Sequence, residues 1–292
     1  MNLFLNQLIN GLHVGSIYAL IALGYTMVYG IVKLINFAHG DIIMVGAYTA
    51  VIVLMALGWS APVALLAAVV VCVIFGVLIE RIAYKPLRNS PRISSLITAI
   101  GVSMLLQNAA LLIFGAQPQP FPTVLNIEPI KLNGIQISFV TLLTVGISAV
   151  LMILLQGFVI GSKAGKAMRA ASEDYTTAQL MGINVNTTIT LTFAIGCALA
   201  GIGSFLFCMA YPAVSPTMGS LPGLKAFIAA VLGGIGNIPG AMLGGFVMGV
   251  AESLTKAYIS TTMSDAVVYG ILILVLLVKP TGLLGKTTSE KV

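Results

Sequence analysis

Charged side chains are scarce in this sequence of 292 residues. Fourteen Lys and Arg and eight Asp and Glu make up only 8% of the chain, whereas 59% of its residues are apolar. Water-soluble proteins are about one quarter charged, so this chain lacks the polar surface that a soluble fold of its size needs. Disorder is excluded as well, since disordered chains are rich in charge and poor in apolar residues. The composition predicts a polytopic membrane protein.

Cysteine and the common catalytic motifs are also rare or missing. The three cysteines, Cys72, Cys197 and Cys208, lie inside apolar runs without CxxC spacing, which predicts packing residues rather than disulfides or metal ligands. Two segments resemble phosphate-binding loops, but Pro280 replaces the first glycine of one and Ala167 replaces the Ser or Thr of the other. No acid–base pair with the spacing of a hydrolase is present. We therefore expect no enzyme activity, no metal and no cofactor in this chain.

Long apolar runs dominate what is present. Six runs come close to the roughly 20 residues that a helix needs to cross the hydrocarbon core: residues 8–32, 42–57, 61–79, 95–114, 139–160 and 188–210. Two shorter runs, residues 224–232 and 241–251, are each expected to be too short to span the membrane alone. A last apolar run covers residues 263–278. The runs are continuous rather than alternating, which argues against an outer-membrane barrel. We predict an all-α integral membrane protein, a polytopic helix bundle of about eight or nine spans with broken or short helices.

Basic residues concentrate in a few loops. Eleven of the fourteen lie at Lys33, in residues 81–92, in residues 163–169 and in residues 279–291. Because Lys and Arg are enriched in cytoplasmic loops, these segments and residues 161–187 are predicted to be cytoplasmic, with the N-terminus outside and an odd number of crossings. The loop of residues 115–138, with four prolines, is predicted to be an external, ordered and non-helical cap. The same loops account for the net charge of +6, so no nucleic acid partner is expected.

Residues 233–240, GGIGNIPG, interrupt the C-terminal third. We favour a tight cytoplasmic turn between two short helices, and a re-entrant pair of helices is the alternative. Glycines also recur four residues apart, which places small residues on one helix face and lets helix backbones approach closely. The glycines with this spacing are Gly11 and Gly15, Gly236, Gly240 and Gly244, and Gly245 and Gly249. They predict close helix packing.

A polar segment joins the first two spans. Asn36, His39 and Asp41 would cost several kcal/mol at membrane depth unless they were paired or hydrated. Either the segment is a broken helix that lines a transport pathway, or it is an ordinary turn in which Asn36 caps a helix end and Gly40 releases the chain. The segment by itself favours the ordinary turn.

The most polar stretch of the chain, residues 161–187, contains a short amphipathic pattern. It predicts one helix from Lys166 to Met181 with an alanine-rich face, ended by Gly182 as a C-terminal cap. Such a helix lies on lipid or docks into a groove of a partner protein. Because its apolar face carries alanines rather than bulky side chains, the pattern favours a close-fitting protein groove.

Five segments of the sequence resemble the permease subunits of branched-chain amino acid ATP-binding-cassette importers, in particular the H-type subunits. They are residues 24–30 (GYTMVYG), 35–41 (INFAHGD), 80–88 (ERIAYKPLR), 225–240 and 279–285 (KPTGLLG). The resemblance extends over essentially the whole chain. It implies a single permease domain, residues 1–292, in the bacterial inner membrane.

The resemblance also implies partners and a cargo. The partners are a second, related permease, two cytoplasmic ATPase subunits that hold ATP and Mg, and an external solute-binding protein. The implied cargo is leucine, isoleucine or valine, and the alternative that the resemblance leaves open is urea or a short amide, carried by related branches of the family. Asn36, His39 and Asp41 would shape the translocation pathway near the cytoplasmic side. The residues that would couple the permease to the ATPase are Arg169, Ala170, Ala171, Glu173, Ala178, Gly182 and Ile183.

Two other classes of transporter are the alternatives. A secondary transporter would need ionisable groups inside the membrane to couple protons or sodium. The candidates, Asp41, Glu252 and Asp265, lie at or near span ends, and none is expected to be paired at mid-membrane. A passive channel is the remaining possibility.

Overall fold

The structure, a computed structural model, describes residues 2–34, 36–88, 90–125, 127–132 and 135–285. Most of these residues are helical. The α-helices of the described ranges are α1 (Asn2–Val32), α2 (His39–Val51), α3 (Ala61–Ile79), α4 (Arg92–Phe114), α5 (Phe139–Gly161), α6 (Lys163–Glu173), α7 (Tyr175–Leu180), α8 (Val185–Ala210), α9 (Ser220–Gly233), α10 (Ile238–Tyr258) and α11 (Ser264–Val278). A π-helical segment, Ile52–Ala56, extends α2. A π-helical segment and a 3-10 turn, Glu80–Tyr84 and Lys85–Leu87, extend α3.

Four short strands form two antiparallel pairs. β1 (Gln119–Pro120) pairs with β4 (Ala213–Val214), and β2 (Ile130–Leu132) pairs with β3 (Ile135–Ile137). The described part of residues 115–138 contains no helix, which confirms the prediction of a non-helical loop. Proline lacks a backbone N–H and clashes with the preceding helical turn, which explains why this proline-rich loop is extended.

Seven helices of the described ranges are long and apolar enough to cross a membrane, and α9 and α11 are shorter apolar helices. The prediction of a polytopic helical membrane protein is confirmed. The expectation that residues 241–251 are too short to span was wrong, because they lie inside the 21-residue helix α10. The apolar run ends at Glu252, but the helix continues past it to Tyr258. Glu252 and Lys256 lie one helical turn apart there and form an ion pair.

A tight turn at residues 234–237 separates α9 from α10, which confirms a turn between two helices. Gly234 and Gly236 have φ values of 106° and 93°, a left-handed conformation that glycine adopts without steric cost. Asn237 caps α10 by accepting a hydrogen bond from the Gly240 N–H. The prediction that Gly236 shares a helix face with Gly240 and Gly244 was therefore wrong, because Gly236 lies in the turn.

Contacts divide the chain into two compact units. Unit 1 comprises the described parts of Met1–Thr26, Ile127–Gln156 and Ala226–Val292, and unit 2 comprises those of Met27–Asn126 and Gly157–Lys225. The N-terminal part of α1 belongs to unit 1 and its C-terminal part to unit 2.

In unit 1, glycines bring α1 and α10 into backbone contact. A Cβ on Gly15 would lie 2.9 Å from the Gly245 carbonyl oxygen, and one on Gly249 would lie 2.2 Å from the Gly15 nitrogen. Close approach of this kind replaces side-chain interdigitation in membrane helix pairs. The packing predicted for Gly11, Gly15, Gly245 and Gly249 is confirmed.

In unit 2, α2, α3 and α8 pack against one another and bury all three cysteines. A Cβ on Gly46 would lie 2.8 Å from the Cys72 sulfur, and one on Gly76 would lie 2.3 Å from the Cys197 sulfur. Cys72, Cys197 and Cys208 are buried and free. Their predicted role as packing residues is confirmed.

Candidate functional site

The polar segment between α1 and α2 is buried. Asn36, His39 and Asp41 are 3%, 1% and 1% exposed. The Asn36 side-chain oxygen accepts a hydrogen bond from the Tyr84 hydroxyl at 2.9 Å, and Gly40 lies within α2. The described Asn36 side chain therefore bonds Tyr84 rather than a helix end, and Gly40 does not release the chain, although residues 37–38 do form a turn before α2. The role of the three polar residues in transport stays a prediction.

Asp41 belongs to a polar cluster inside unit 2, the Asp41 cluster, formed by Asp41, Ser103, Gln107 and Ser220. The Gln107 amide nitrogen donates to Asp41 Oδ1 at 2.8 Å, and it lies 3.2 Å from Ser220 Oγ and 3.3 Å from Ser103 Oγ. Gln107 is roughly 22 Å along α4 from Arg92 and about 10 Å from Phe114, given a rise of about 1.5 Å per residue, and so lies two turns inside the nearer end of an apolar span. Intramembrane carboxylates are costly and usually mark transport pathways.

The Asp41 cluster connects a buried charge to the surface of unit 2. Asp41 is buried, Gln107 is half-buried, and Ser220 is exposed. A small polar solute that binds the Ser220 hydroxyl would therefore be connected to the Asp41 carboxylate through Ser220 and Gln107. The cluster therefore links a shielded charge to an exposed hydroxyl through the Gln107 amide.

Two helix starts meet beside this cluster. A Cβ on Gly219 would lie 2.0 Å from the Gly40 carbonyl oxygen, and one on Gly40 would lie 2.6 Å from the Gly219 oxygen. Gly40 lies in the first turn of α2, and Gly219 immediately precedes α9. Helix N-termini carry partial positive charge and bind anionic groups. Their approach favours the Asp41 carboxylate, which lies in the first turn of α2.

An apolar cavity of about 220 Å³ lies along the same two helices. It is lined mainly by Met44, Val45, Tyr48, Leu106, Ala110 and Phe114. Val45 and Tyr48 follow Asp41 by one and two turns on α2, and Ala110 and Phe114 follow Gln107 by one and two turns on α4. Tyr48 stacks on Phe114 with 4.0 Å between ring centroids, and its buried hydroxyl has no hydrogen-bond partner in the described part of the protein. A polar cluster and an apolar cavity therefore adjoin.

Sequence reasoning missed Gln107 and Ser220. Their hydrogen bonds join residues 66 and 113 positions apart in the chain, so no local pattern reports them. The available signal is the glutamine itself, because a polar amide inside an apolar span is uncommon and usually has a partner.

A second buried network, also missed, joins the extension of α3 to the start of α8. Glu80 is fully buried and accepts hydrogen bonds from Arg88 and, at 2.8 Å, from the Thr190 hydroxyl. Arg88 also donates to the Asn186 side-chain oxygen. Glu80 and Arg88 are the ends of the ERIAYKPLR segment, whose spacing alone does not reveal that the two side chains pair.

Glu252 is a paired acid near the C-terminal end of α10. This residue of α10 is 2% exposed. One of its carboxylate oxygens lies 2.6 Å from the Lys256 nitrogen, and the other accepts a hydrogen bond from the Tyr18 hydroxyl at 2.9 Å. Glu252 is therefore held as a neutralised pair in unit 1.

Residues 161–187 form two short helices rather than the single predicted helix. Asp174 separates α6 from α7 with extended backbone angles, φ −154° and ψ 120°. Its carboxylate caps α7 by accepting hydrogen bonds from the Thr177 hydroxyl at 2.7 Å and the Thr176 N–H at 2.8 Å. A capping carboxylate stabilises a new helix start, which explains the break.

The same hydrogen bonds affect the protonation of Asp174. The Thr177 hydroxyl and the N–H groups of Thr176 and Thr177 hold the pKa of this exposed carboxyl below its usual range. The contribution of the cap to stability is therefore present above the aspartate pKa of the unfolded chain and is lost as the pH falls through the lower pKa of the folded state. Burial raises the pKa of the neighbouring Tyr175, whose hydroxyl donates to the Ile31 carbonyl at 2.7 Å.

The alanine face of this segment packs inside the chain. Ala171 and Ala178 are 1% and 3% exposed, because α6 and α7 both pack against α8. The hypothesis that these alanines present a surface to a partner groove was wrong. Ala170 and Ile183 are half-buried, and Arg169 and Glu173 are exposed. Arg169 donates to the Ile160 carbonyl at 3.3 Å. No ion pair joins Arg169 to Glu173, both of which the structure describes.

The end of α7 is the part of the segment that projects outward. Leu180 and Met181 are 83% and 78% exposed. Gly182 follows them with φ 83°, a left-handed conformation that confirms the predicted C-terminal cap. We call Leu180, Met181 and Gly182 the α7 tip.

The loops with clustered basic residues share one end of unit 2. The Arg88–Asn186 hydrogen bond joins residues 81–92 to the start of α8, and the Tyr175–Ile31 hydrogen bond joins α7 to the end of α1. The pairing of β1 with β4 lies at the opposite ends of α4 and α8. Within unit 1, the Asn237 amide donates to the Leu284 carbonyl at 2.7 Å, so the described tail meets the α9–α10 turn. The side of the membrane on which each end lies stays a prediction.

Sequence comparison identifies relatives that cover nearly the whole chain. The profile of a family described as "Branched-chain amino acid transport system / permease component" matches residues 7–276. The chain is 47% identical to the high-affinity branched-chain amino acid transport system permease protein BraD of Pseudomonas aeruginosa, over 99% of this chain and 98% of that protein. It is 44% identical to the corresponding permease protein LivH of Escherichia coli, with the same coverage. A probable LivH of Methanocaldococcus jannaschii is 30% identical over 92% of this chain and 89% of that protein.

Structure comparison finds a similar fold in a more distant protein. The chain superposes on a chain of PsaBC from Streptococcus pneumoniae, solved in complex with Fab, with a TM-score of 0.51 over 96% of this chain and 93% of that one. Their sequences are 15% identical, so this likeness concerns the fold. The family match and the 47% identity decide the membership: this multi-pass helical membrane protein belongs to the family of permease components of branched-chain amino acid transport systems.

Proposed function

We propose that this chain is the membrane-spanning permease of an ATP-driven importer for leucine, isoleucine and valine. The apolar cavity that adjoins the Asp41 cluster is the observation that supports this class of substrate. An α-amino acid with an aliphatic side chain has an ammonium group, a carboxylate and an apolar end. The exposed end of the Asp41 cluster, Gln107 and Ser220, offers hydrogen bonds to the polar groups beside a buried negative charge. The cavity offers space to the aliphatic side chain.

This arrangement favours branched-chain amino acids over the alternatives within the family. Urea and short amides have no cationic group to complement the charge of Asp41, urea has no aliphatic end, and that of a short amide is smaller than the side chain of leucine. A pocket that fits an aliphatic group gains about 0.8 kcal/mol for each buried methylene, and these solutes would supply little or none of it.

Energy coupling is proposed to come from separate subunits. A second, related permease would complete the pathway, two cytoplasmic ATPase subunits would hold ATP and Mg, and an external solute-binding protein would deliver the cargo. This chain would act in the inner membrane as one permease domain without catalytic activity or a cofactor of its own. The basic ends of both units, including the α7 tip, would face the cytoplasm.

Uptake by the reconstituted complex tests this function. Vesicles that contain this permease with its partner subunits are expected to accumulate labelled leucine only when ATP is supplied on the ATPase side. Labelled urea should not compete with leucine. Accumulation driven by a proton or sodium gradient without the ATPase would overturn the proposal in favour of a secondary transporter, and uptake without any energy source would favour a channel.

The α7 tip is expected to be the contact with the ATPase. Replacing Leu180 and Met181 together by aspartate should reduce retention of the ATPase at least tenfold, because burial of each apolar side chain contributes about 1.5–3 kcal/mol. Both side chains are highly exposed, so the permease itself should fold normally. Co-purification of the ATPase with the tagged permease measures the effect.

The matched control is Thr176→Asp, which adds an exposed charge to the first turn of the same helix. It should retain the ATPase, since a carboxylate is favourable near a helix N-terminus. Ala171→Trp is not a test of docking, because it would overpack α6 against α8. Full retention of the ATPase by the Leu180 and Met181 double variant would show that docking occurs elsewhere.

A further inference from the structure

A cationic cavity lies in unit 2, apart from the Asp41 cluster. Its volume is about 540 Å³. The side chains that line it are Arg81, Lys85, Asn184, Asn186, Thr187, Thr190, Leu191 and Ala194. None of them is acidic, so the cavity carries two positive charges and several hydrogen-bonding groups.

Both cations are available to a ligand. Arg81 and Lys85 lie one turn apart on the extension of α3, and neither forms an ion pair or hydrogen bond with another described residue. The carboxylate of the adjacent residue, Glu80, is already bound by Arg88 and Thr190. The opposite wall is the first turns of α8, whose N-terminus adds partial positive charge. The cavity therefore suits an anion.

The wall formed by α8 changes from polar to apolar along the helix. Asn186 and Thr187 lie in its first turn, and Leu191 and Ala194 lie one and two turns further into the span. On the facing segment Ile82, next to Arg81, is 73% exposed. A ligand in this cavity meets charge at the end of the helices and an apolar surface toward the middle of the membrane. This is the polarity profile of a phospholipid at the membrane interface.

We propose that this cavity binds the phosphate headgroup of an anionic phospholipid, with the acyl chains along Leu191 and Ala194. Arg81 and Lys85 bind the phosphate by charge-assisted hydrogen bonds. A free phosphate shares the headgroup chemistry but cannot use the apolar wall. The site joins the extension of α3 to the start of α8, so an occupied site would hold together the two elements that carry the Glu80–Arg88 network.

Lipid titration of the purified, delipidated permease complex tests the site, with bound lipid counted by native mass spectrometry. Phosphatidylglycerol should bind at least tenfold more tightly than phosphatidylcholine with the same acyl chains. Replacing Arg81 and Lys85 together by glutamine should weaken phosphatidylglycerol binding about 25-fold, at about fivefold for each cation removed. Arg81→Lys, which keeps the charge, should retain most of the affinity.

Two further variants separate lipid binding from folding. Thr187→Asp places a carboxylate in the cavity at a position where it favours the start of α8, so it should weaken lipid binding without lowering thermal stability. Replacing Lys163 and Lys166 by glutamine removes two cations from α6, outside the cavity, and should leave binding unchanged. Equal loss in this control, or unchanged binding in the Arg81 and Lys85 double variant, would overturn the proposal. Displacement of the lipid by inorganic phosphate at equal concentration would also overturn it, in favour of a soluble phosphate ligand.

Discussion

Asp41→Asn should reduce ATP-driven leucine uptake at least tenfold while the complex still assembles. Asparagine has nearly the same shape and can still accept the hydrogen bond from Gln107, so the fold around it should persist. What it removes is the negative charge that the cluster presents, through Gln107 and Ser220, to the substrate ammonium. A hydrogen bond to a charged group contributes about 1.5–3 kcal/mol, which corresponds to a tenfold or larger effect. The measurement is the initial rate of leucine uptake into vesicles at saturating ATP and binding protein.

Glu128→Gln provides the matched control for the loss of a carboxylate. Glu128 is exposed and lies in the loop before β2, so its neutralisation should leave uptake unchanged. Normal uptake by the Asp41→Asn complex would contradict the proposed role of this charge in substrate binding and assign the Asp41 cluster a structural role. Loss of assembled complex in this variant would lead to the same conclusion, because the effect would then be on folding.

Gly249→Ala is expected to prevent formation of the folded permease. The added methyl group would lie 2.2 Å from the Gly15 nitrogen and 2.5 Å from the Gly11 carbonyl oxygen, both of which belong to the backbone and cannot rotate away. Helices α1 and α10 would have to separate along their contact. Overpacking of a close-packed interface typically costs about 1–3 kcal/mol, and a clash with backbone on this scale should exceed that range. The level of detergent-extracted, monodisperse permease measures the loss.

Gly270→Ala is the control for this substitution in the same unit. Gly270 lies in α11, and an added Cβ would meet no atom within 4 Å. Because alanine is the better helix former by about 1 kcal/mol, this variant should be as stable as the parent or more so. Equal yields of the Gly249→Ala and Gly270→Ala variants would contradict the assignment of Gly249 to a tight helix contact.

Features that depend on neighbours in sequence were predictable. The apolar runs identify most of the spanning helices because the cost of burying a peptide group in lipid is met by hydrogen bonds within each helix. Gly182 ends α7 as expected, because the conformation of a helix cap is decided within a few residues. The repeated spacing of Gly11, Gly15, Gly245 and Gly249 indicated a close helix contact, although not that α1 and α10 form it with each other.

The amphipathic pattern of residues 161–187 predicts which side chains are buried but not what they pack against. The pattern correctly marks Ala171 and Ala178 as the face that is buried. It carries no information about what buries them, since a groove of a partner and helix α8 of the same chain need the same small residues. Only the packing of α6 and α7 on α8 decides this, and it leaves Leu180 and Met181 as the outward surface.

The sequence by itself determined that this chain is a helical membrane protein, which loops are basic, and that it resembles a family of permeases. Those properties depend on composition and on short stretches of sequence, so they can be read without knowing which helices contact one another. The tertiary structure alone decided that Asp41 pairs with Gln107, that Ser220 lies beside them, and that Glu80 is held by Arg88 and Thr190. Each of these contacts depends on how helices distant in the chain pack against one another, and a single polar side chain in an apolar run does not specify its partner. The structure therefore located the candidate solute site and the cationic cavity, because both are formed by side chains that only the packed helices bring together.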